Sequence, residues 1–272
     1  MSTEAGGHIE MAKNVTEEPD HTIVARSMPE KPRVVFPLGR GNRGKTLLTR
    51  WMIERAFVAG RDVGIADADR TNSSLSSYFK NVLSPQSADD ASVMEWFEDI
   101  LDKHITDQRS LVIDFGGGDL TVKKASLELE LVDMLDREGI DLVAAHLIGP
   151  DPDDLAYLAT VEENELFAPT RTLLIFNEYC IPKAMPRDEA FIRTVRNHKI
   201  IEKTLDRGAR LVIMPALPVV HELDRRRIGF FEALAEKSKP GHTPLSRFTR
   251  QRVMLWLRDM ESAFAEVNHW LP

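Results

Sequence analysis

Eight consecutive residues, Gly39-Arg40-Gly41-Asn42-Arg43-Gly44-Lys45-Thr46, carry the side chains and spacing that a polyphosphate needs. Glycines remove the Cβ atoms that would keep successive backbone N–H groups from converging on phosphate oxygens. A lysine at the seventh position can reach β- and γ-phosphates, and a threonine after it offers a hydroxyl to Mg2+. The segment fits G-x-x-x-x-G-K-[ST], a pattern that carries weight when a strand precedes it and a helix follows.

Two acidic sites lie downstream. In Gly64-Ile65-Ala66-Asp67-Ala68-Asp69 the two aspartates are two residues apart, so on a strand they point the same way. At the C-terminal edge of a parallel sheet one would orient Mg2+ and its waters and the other would position an attacking water; a solvated strand end is the alternative. In Leu111-Val112-Ile113-Asp114 an acid follows three apolar residues, as in a Walker B strand. The glycines that follow, Gly116-Gly117-Gly118, would let the backbone approach a γ-phosphate or hinge, and the alternative for Asp114 is a turn cap.

The elements that must hold these residues are legible as apolar runs. Strands are predicted at Arg33–Leu38, Asp62–Ala68, Ser110–Phe115, Asp141–Ile148, Arg171–Asn177 and Arg210–Pro215. Several are almost wholly apolar, which indicates a sheet covered on both faces. Helical spacing is read in 45–59, with Leu47, Leu48, Trp51, Met52 and Phe57 on one side, and in 91–105, 153–164 and 188–205. The spacing of Val253, Trp256, Leu257, Met260, Phe264 and Val267 adds a last helix. Alternating strands and helices predict an α/β fold: a doubly wound, mostly parallel sheet with helices on both faces. Residues 1–30 are polar and read as a flexible N-terminal tail, leaving 31–272 as one domain with a C-terminal helix.

These motifs together resemble the ParA/MinD family of deviant Walker ATPases, over roughly residues 33–235. That family's loop reads K-G-G-x-G-K-[ST], against Arg40-Gly41-Asn42-Arg43-Gly44-Lys45-Thr46 here. Its D-x-D pair matches Asp67-Ala68-Asp69. The resemblance implies a P-loop ATPase fold, ATP and Mg2+ as cofactors, and an ATP-dependent homodimer with a protein partner that stimulates hydrolysis. It implies catalytic roles for Asp69, Lys45 and Arg40, with Thr46, Asp67 and Asp114 supporting the metal. The nucleotide would be held by Gly39 to Thr46, and its base by Asn177 and the backbone after Pro215. Arg40 stands where the family has its signature lysine, and Asn42 replaces the second glycine. Arginine keeps the charge in a different shape, so Arg40 would act across the dimer or leave a slow hydrolase.

Composition narrows the remaining choices. The net charge of -8 argues against a protein that coats nucleic acid generally. Yet residues 221–258 hold nine Lys/Arg against four acids. Arg225, Arg226, Arg227, Arg247, Arg250 and Arg252 could bind non-specific DNA, as in partition ATPases, or form a solvated face. A single cysteine, Cys180, excludes an intrachain disulfide and is read as a small core filler. His146 and His221 are read as structural or exposed. No apolar run is long enough for a membrane span, acids on the last helix disfavour anionic lipid, and a cytoplasmic location is expected. Three functional readings result. The first is a ParA-like ATPase that positions or partitions cargo such as plasmid DNA. The second is a nucleotide-gated accessory protein recruiting a conjugation, secretion or polysaccharide-synthesis complex with weak hydrolysis. The third is a ligase of the dethiobiotin-synthase type.

Overall fold

A computed structural model describes residues 31–69, 74–162, 167–196, 198–235 and 243–272. The expected tail over 1–30, the last residues of the helix expected over 153–164, and Lys237 and Lys239 of the basic segment lie outside them. The strands are β1 (Arg33–Leu38), β2 (Val63–Ala68), β3 (Ser110–Phe115), β4 (Asp141–Ile148), β5 (Arg171–Asn177) and β6 (Arg210–Met214). They form one sheet in the order β2-β3-β1-β4-β5-β6, and every pair is parallel. All six fall where the apolar runs place them, to within a residue at each end.

The helices among the described residues are α1 (Lys45–Val58), α2 (Asp90–Thr106), α3 (Thr121–Leu129), α4 (Leu131–Arg137), α5 (Pro152–Val161), α6 (Arg187–Val195), α7 (Lys199–Asp206), α8 (Val220–Arg226) and α9 (Arg247–Ala263). Side chains alternate across each strand, and the two faces bury different partners. Val35, Ile65, Val112, Val143 and Ile175 pack with α1, α8 and α9. Val34, Phe36, Leu111, Ile113 and Ala144 face α2, α3 and α4, while Ile148, Leu174 and Phe176 face α5 to α7. The sheet is therefore doubly wound. Trp51 of α1 meets Phe264 beyond α9 at 4.7 Å, so the C-terminal helix is part of the core.

Three expectations need correction. Phe57 is half exposed and meets Phe79 edge to face, while Ile53 and Ala56 are buried in its place. The helix expected over 188–205 is two, because Arg196 is extended (ψ 139°). The last helix ends at Ala263, and Val267 sits in a 3-10 turn spanning Ala265–Trp270.

Strand β1 marks where the chain reverses its direction of winding. β2 and β3 lie on one side of it, β4 to β6 on the other. Ligand crevices in such sheets open at the carboxyl ends of the strands, at this reversal. Pro37 sharpens the opening. It has no N–H to give a ladder, and the pairing of β1 with β3 stops at Val35, whereas that with β4 runs on to Leu38. The strands part just below the loop that follows β1.

A buried polar network closes the far side of β4. Glu162 accepts from Arg207 at 3.0 and 2.8 Å and from Thr204 Oγ1 at 2.9 Å. His146 lies 3.7 Å from the same carboxylate, with neither ring nitrogen hydrogen-bonded. Burial outweighs the pull of Glu162 and lowers the His146 pKa to about 4, so the ring is neutral in the fold. The unfolded histidine titrates near the ordinary value of 6.5 and takes up protons that the folded one refuses. The His146 contribution to stability is thus constant above about pH 6.5 and falls, by roughly 1 kcal/mol per pH unit, between there and pH 4. Urea titrations at pH 7 and 5 check this: on going to pH 5, wild type should lose roughly 1–2 kcal/mol relative to His146→Leu, and an equal pH dependence in the two would assign the effect elsewhere.

Candidate functional site

Two backbone features set the shape of the loop after β1. Gly44 caps α1 in the left-handed region (φ 91°), and a Cβ there would lie 2.5 Å from Asn177 Nδ2. Asn42 is also left-handed (φ 61°), a conformation asparagine tolerates better than most residues. The helix that starts at Lys45 aims its first N–H groups into the crevice, where an anion is favoured. Lys45 is buried and folds back on the loop, its Nζ donating to the carbonyls of Gly39 and Arg40, both at 3.2 Å. Burial lowers its pKa, and the charges of Asp114, Asp69 and Asp119 counter that. The ammonium is held by weak contacts that a phosphate oxygen can replace.

The acids separate into different environments. Thr46 Oγ1 donates to Asp114 Oδ2 at 2.8 Å, while Asp114 Oδ1 is buried with no hydrogen-bond partner. Burial pushes the Asp114 pKa up to about 7 against the Thr46 bond and Lys45, and Asp67 and Asp69 push in the same direction as burial. A divalent cation would relieve all of these charges together, so the pair Thr46–Asp114 fits Mg2+. Among the described residues no group of three or more His, Cys, Asp or Glu side chains is arranged to hold a metal alone. Most of the remaining ligands would be phosphate oxygens and water, as Mg2+ prefers.

Asp67, expected beside the metal, pairs in register with Asp114 on the adjacent strand. Its carboxylate accepts the N–H of Asp69 and of Leu75, both at 3.1 Å, and so shapes the chain after β2. Asp69 lines the crevice itself.

The glycines after β3 rest directly on the loop. Gly118 N donates to Gly39 O at 3.3 Å. A Cβ on Gly117 would stand 2.5 Å from Gly41 N, and one on Gly116 would meet Asp69 Oδ1 at 3.5 Å. Close backbone approach, rather than hinging alone, requires glycine at 117.

Both loop arginines turn out of the crevice. Arg40 pairs with Asp151 at 2.9 Å, Asp153 at 3.1 Å and Asp154 at 3.7 Å. Arg43 bonds Asp151 at 2.6 Å and Asp154 at 2.7 Å. Asp154 is fully buried, and its other oxygen accepts Gly149 N at 2.9 Å. Burial raises the Asp154 pKa, and the bond and charge of Arg43 pull it back down. These acids stand at the start of α5, whose first turn favours negative charge. Arg40, expected on phosphate or across a dimer, is thus held within its own chain.

The other end of the crevice is built by β5 and α8. Asn177 donates from Nδ2 to Arg43 O at 2.9 Å and accepts Tyr179 N at 3.0 Å, so it braces the loop. Tyr179, His221 and Asp224 line a cavity of about 560 Å3 together with Gly44, Lys45, Thr46 and Asp69. Gly41, Asn42 and Asn177 border it too. Arg40, Arg43, Asp67, Asp114 and Pro215 do not. The Pro215 carbonyl accepts Trp256 Nε1 at 2.9 Å, and the residue lines a separate depression with Glu178 and Arg187. The indole of α9 thus takes the carbonyl of Pro215, the residue whose following backbone was expected to line the base.

Sequence reasoning passed over Tyr179 and the acids at 151–154, and read His221 as structural or exposed; it is exposed and lines the cavity. Their place after β5 and β4, the strands on one side of β1, was the available signal. In the basic segment, Arg225, Arg227, Arg247 and Arg252 are exposed, Arg226 pairs with Glu222 and the Thr243 carbonyl, and Arg250 is half-buried. No described helix is long and apolar enough to cross a membrane. Cys180 is half-buried, wedged against Gly149, and burial pushes its thiol up.

A parallel sheet whose phosphate-type loop joins the central strand to α1 at the winding reversal defines the P-loop NTPase fold. Solved structures with a similar fold include the MinD cell division protein of Aquifex aeolicus, 14% identical, covering 85% of this chain and 97% of that one, with a TM-score of 0.46. The MinC:MinD cell division protein complex of the same organism matches at 12% identity, 85% and 96% coverage, and a TM-score of 0.47. FtsY from Mycoplasma mycoides matches at 16% identity, 67% and 60% coverage, and a TM-score of 0.40. No family model matches the chain, and no curated protein does.

Proposed function

We propose that this protein binds a magnesium–nucleoside triphosphate, ATP on the sequence reading, and uses its hydrolysis as a switch between association states. The observation that carries this is the Lys45 ammonium, buried on two carbonyls beside the Thr46–Asp114 pair and its orphaned oxygen. On this reading the loop amides and Lys45 bind the phosphates. Thr46 and Asp114 hold Mg2+, which when bound neutralises charge on the phosphate oxygens. Asp69, in the crevice and close to Gly116, orients the attacking water and accepts its proton.

Asp69→Asn tests the chemistry. Turnover should fall about 10²- to 10⁴-fold, with magnesium–ATP binding by calorimetry retained and the bound association state prolonged in size-exclusion chromatography. Hydrolysis at the wild-type rate would remove Asp69 from the role. Calorimetry with ATP and GTP in parallel decides the nucleotide.

The capture of Arg40 by Asp151, Asp153 and Asp154 favours a second form of the same reading, a nucleotide-gated recruiter of a protein partner with slow hydrolysis. An arginine held within its own chain is not placed to reach a partner's phosphates. Partition of DNA cargo would rest on Arg225, Arg227, Arg247 and Arg252. ATP-dependent, salt-sensitive binding to random duplex supports it, and no binding in either nucleotide state removes it.

A further inference from the structure

We propose that Tyr179 is the surface on which the nucleobase stacks, that His221 fixes its ring, and that this end of the crevice favours purine nucleotides. The inference rests on the nucleotide reading above and adds the base-recognition element to it.

Tyr179 is 45% exposed, yet it is held at both ends. Its N–H donates to Asn177 Oδ1 at 3.0 Å, and its hydroxyl and His221 Nε2 are hydrogen-bonded at 2.7 Å. The two rings stand 6.1 Å apart and 69° out of parallel, so His221 is not stacked flat on the tyrosine ring. Fixing a large side chain costs rotamer freedom that burial ordinarily repays. Here the ring is ordered and still open to solvent, the state of a contact surface prepared in advance.

Its position decides what it contacts. Tyr179 and His221 share one cavity with Gly44, Lys45 and Thr46. A ligand whose phosphates lie on the start of α1 carries its non-phosphate end along that cavity. The same Asn177 that sets the tyrosine backbone also bonds the loop at Arg43 O, which ties the spacing of ring and loop together. Leu47 and Val220 add apolar surface to the cavity, as a base sandwiched against an aromatic ring requires. Stacking on an aromatic ring is tolerant of base identity but grows with the π surface, which ranks purines above pyrimidines.

The test compares ligands with and without a base. Wild-type protein, Tyr179→Ala and Tyr179→Phe are titrated calorimetrically with magnesium–ATP, magnesium–GTP, magnesium–CTP and magnesium–tripolyphosphate. Tyr179→Ala should weaken purine nucleotides about ten- to hundredfold, leave tripolyphosphate unchanged, and erase the purine preference over CTP. Tyr179→Phe should keep most of the affinity, since the ring remains. An equal loss for nucleotide and tripolyphosphate would mean that the residue acts on the loop, and the stacking proposal fails. It fails equally if Tyr179→Ala binds ATP and GTP as tightly as wild type. Wild-type protein that binds neither nucleotide nor tripolyphosphate overturns the broader reading instead, which keeps the two failures distinct.

Discussion

Lys45→Met is expected to lower affinity for a magnesium–nucleotide by about a hundredfold or more while leaving the melting temperature within about 2 °C of wild type. Each charge-assisted hydrogen bond to phosphate is worth about 1.5–3 kcal/mol, and about 1.4 kcal/mol is tenfold in affinity. An ammonium reaching β- and γ-phosphates makes at least two such bonds. Stability behaves differently because the resting lysine has so little to lose. Its Nζ holds two carbonyls at 3.2 Å, and burial already opposes its charge. Methionine keeps the apolar stem and the packing it supplies. Calorimetry and a thermal melt on one preparation check both halves. Retained affinity would remove the loop from the binding site, whereas a collapsed melt would make Lys45 a structural residue.

Asp154→Ala is expected to destabilise the fold by about 3 kcal/mol, because it strips the buried one of two acidic partners from a mostly buried arginine and an acceptor from Gly149 N. The Asp154 side chain is 0% exposed and that of Arg43 18%, so water replaces little of what is lost. In a domain of this size the melting temperature should fall roughly 6–12 °C. Asp151→Ala is the comparison. Its side chain is 39% exposed, and loss of its partly solvated pairs with Arg40 and Arg43 together with its cap bond to Asp153 N costs about 1–2 kcal/mol. High salt should erode the Asp151 contribution and leave that of Asp154 largely intact. Equal effects of the two substitutions would show that the acids act as one solvated cluster.

The fold was readable because strands buried on two faces announce themselves as unbroken apolar runs, and β3, β4 and β5 are such runs. Helices α3 and α4 were not, since each is short and Glu130 between them adopts a left-handed conformation that no sequence pattern signals. The loop at 39–46, Asp69 and Asp114 were singled out from local motifs, and the fold sets them near one another at the carboxyl ends of β1, β2 and β3. What escaped was every relation set by strand order. The acids at the start of α5 meet Arg40 and Arg43 only because β4 lies beside β1, although more than a hundred residues separate them. Likewise Tyr179 and His221 are 42 positions apart and meet because β5 and β6 end side by side. Pro37 falls inside a strand read as continuous, and in the sheet it lies where one ladder has already stopped.

Gly117 and Gly118 lie main chain against main chain on the loop after β1, at Gly41 and Gly39. Three residues later begins α3, whose first N–H is tied to Asp119 at 2.7 Å. A shift of the loop at Gly41 therefore presses on the main chain of Gly117 rather than on a side chain that could turn aside.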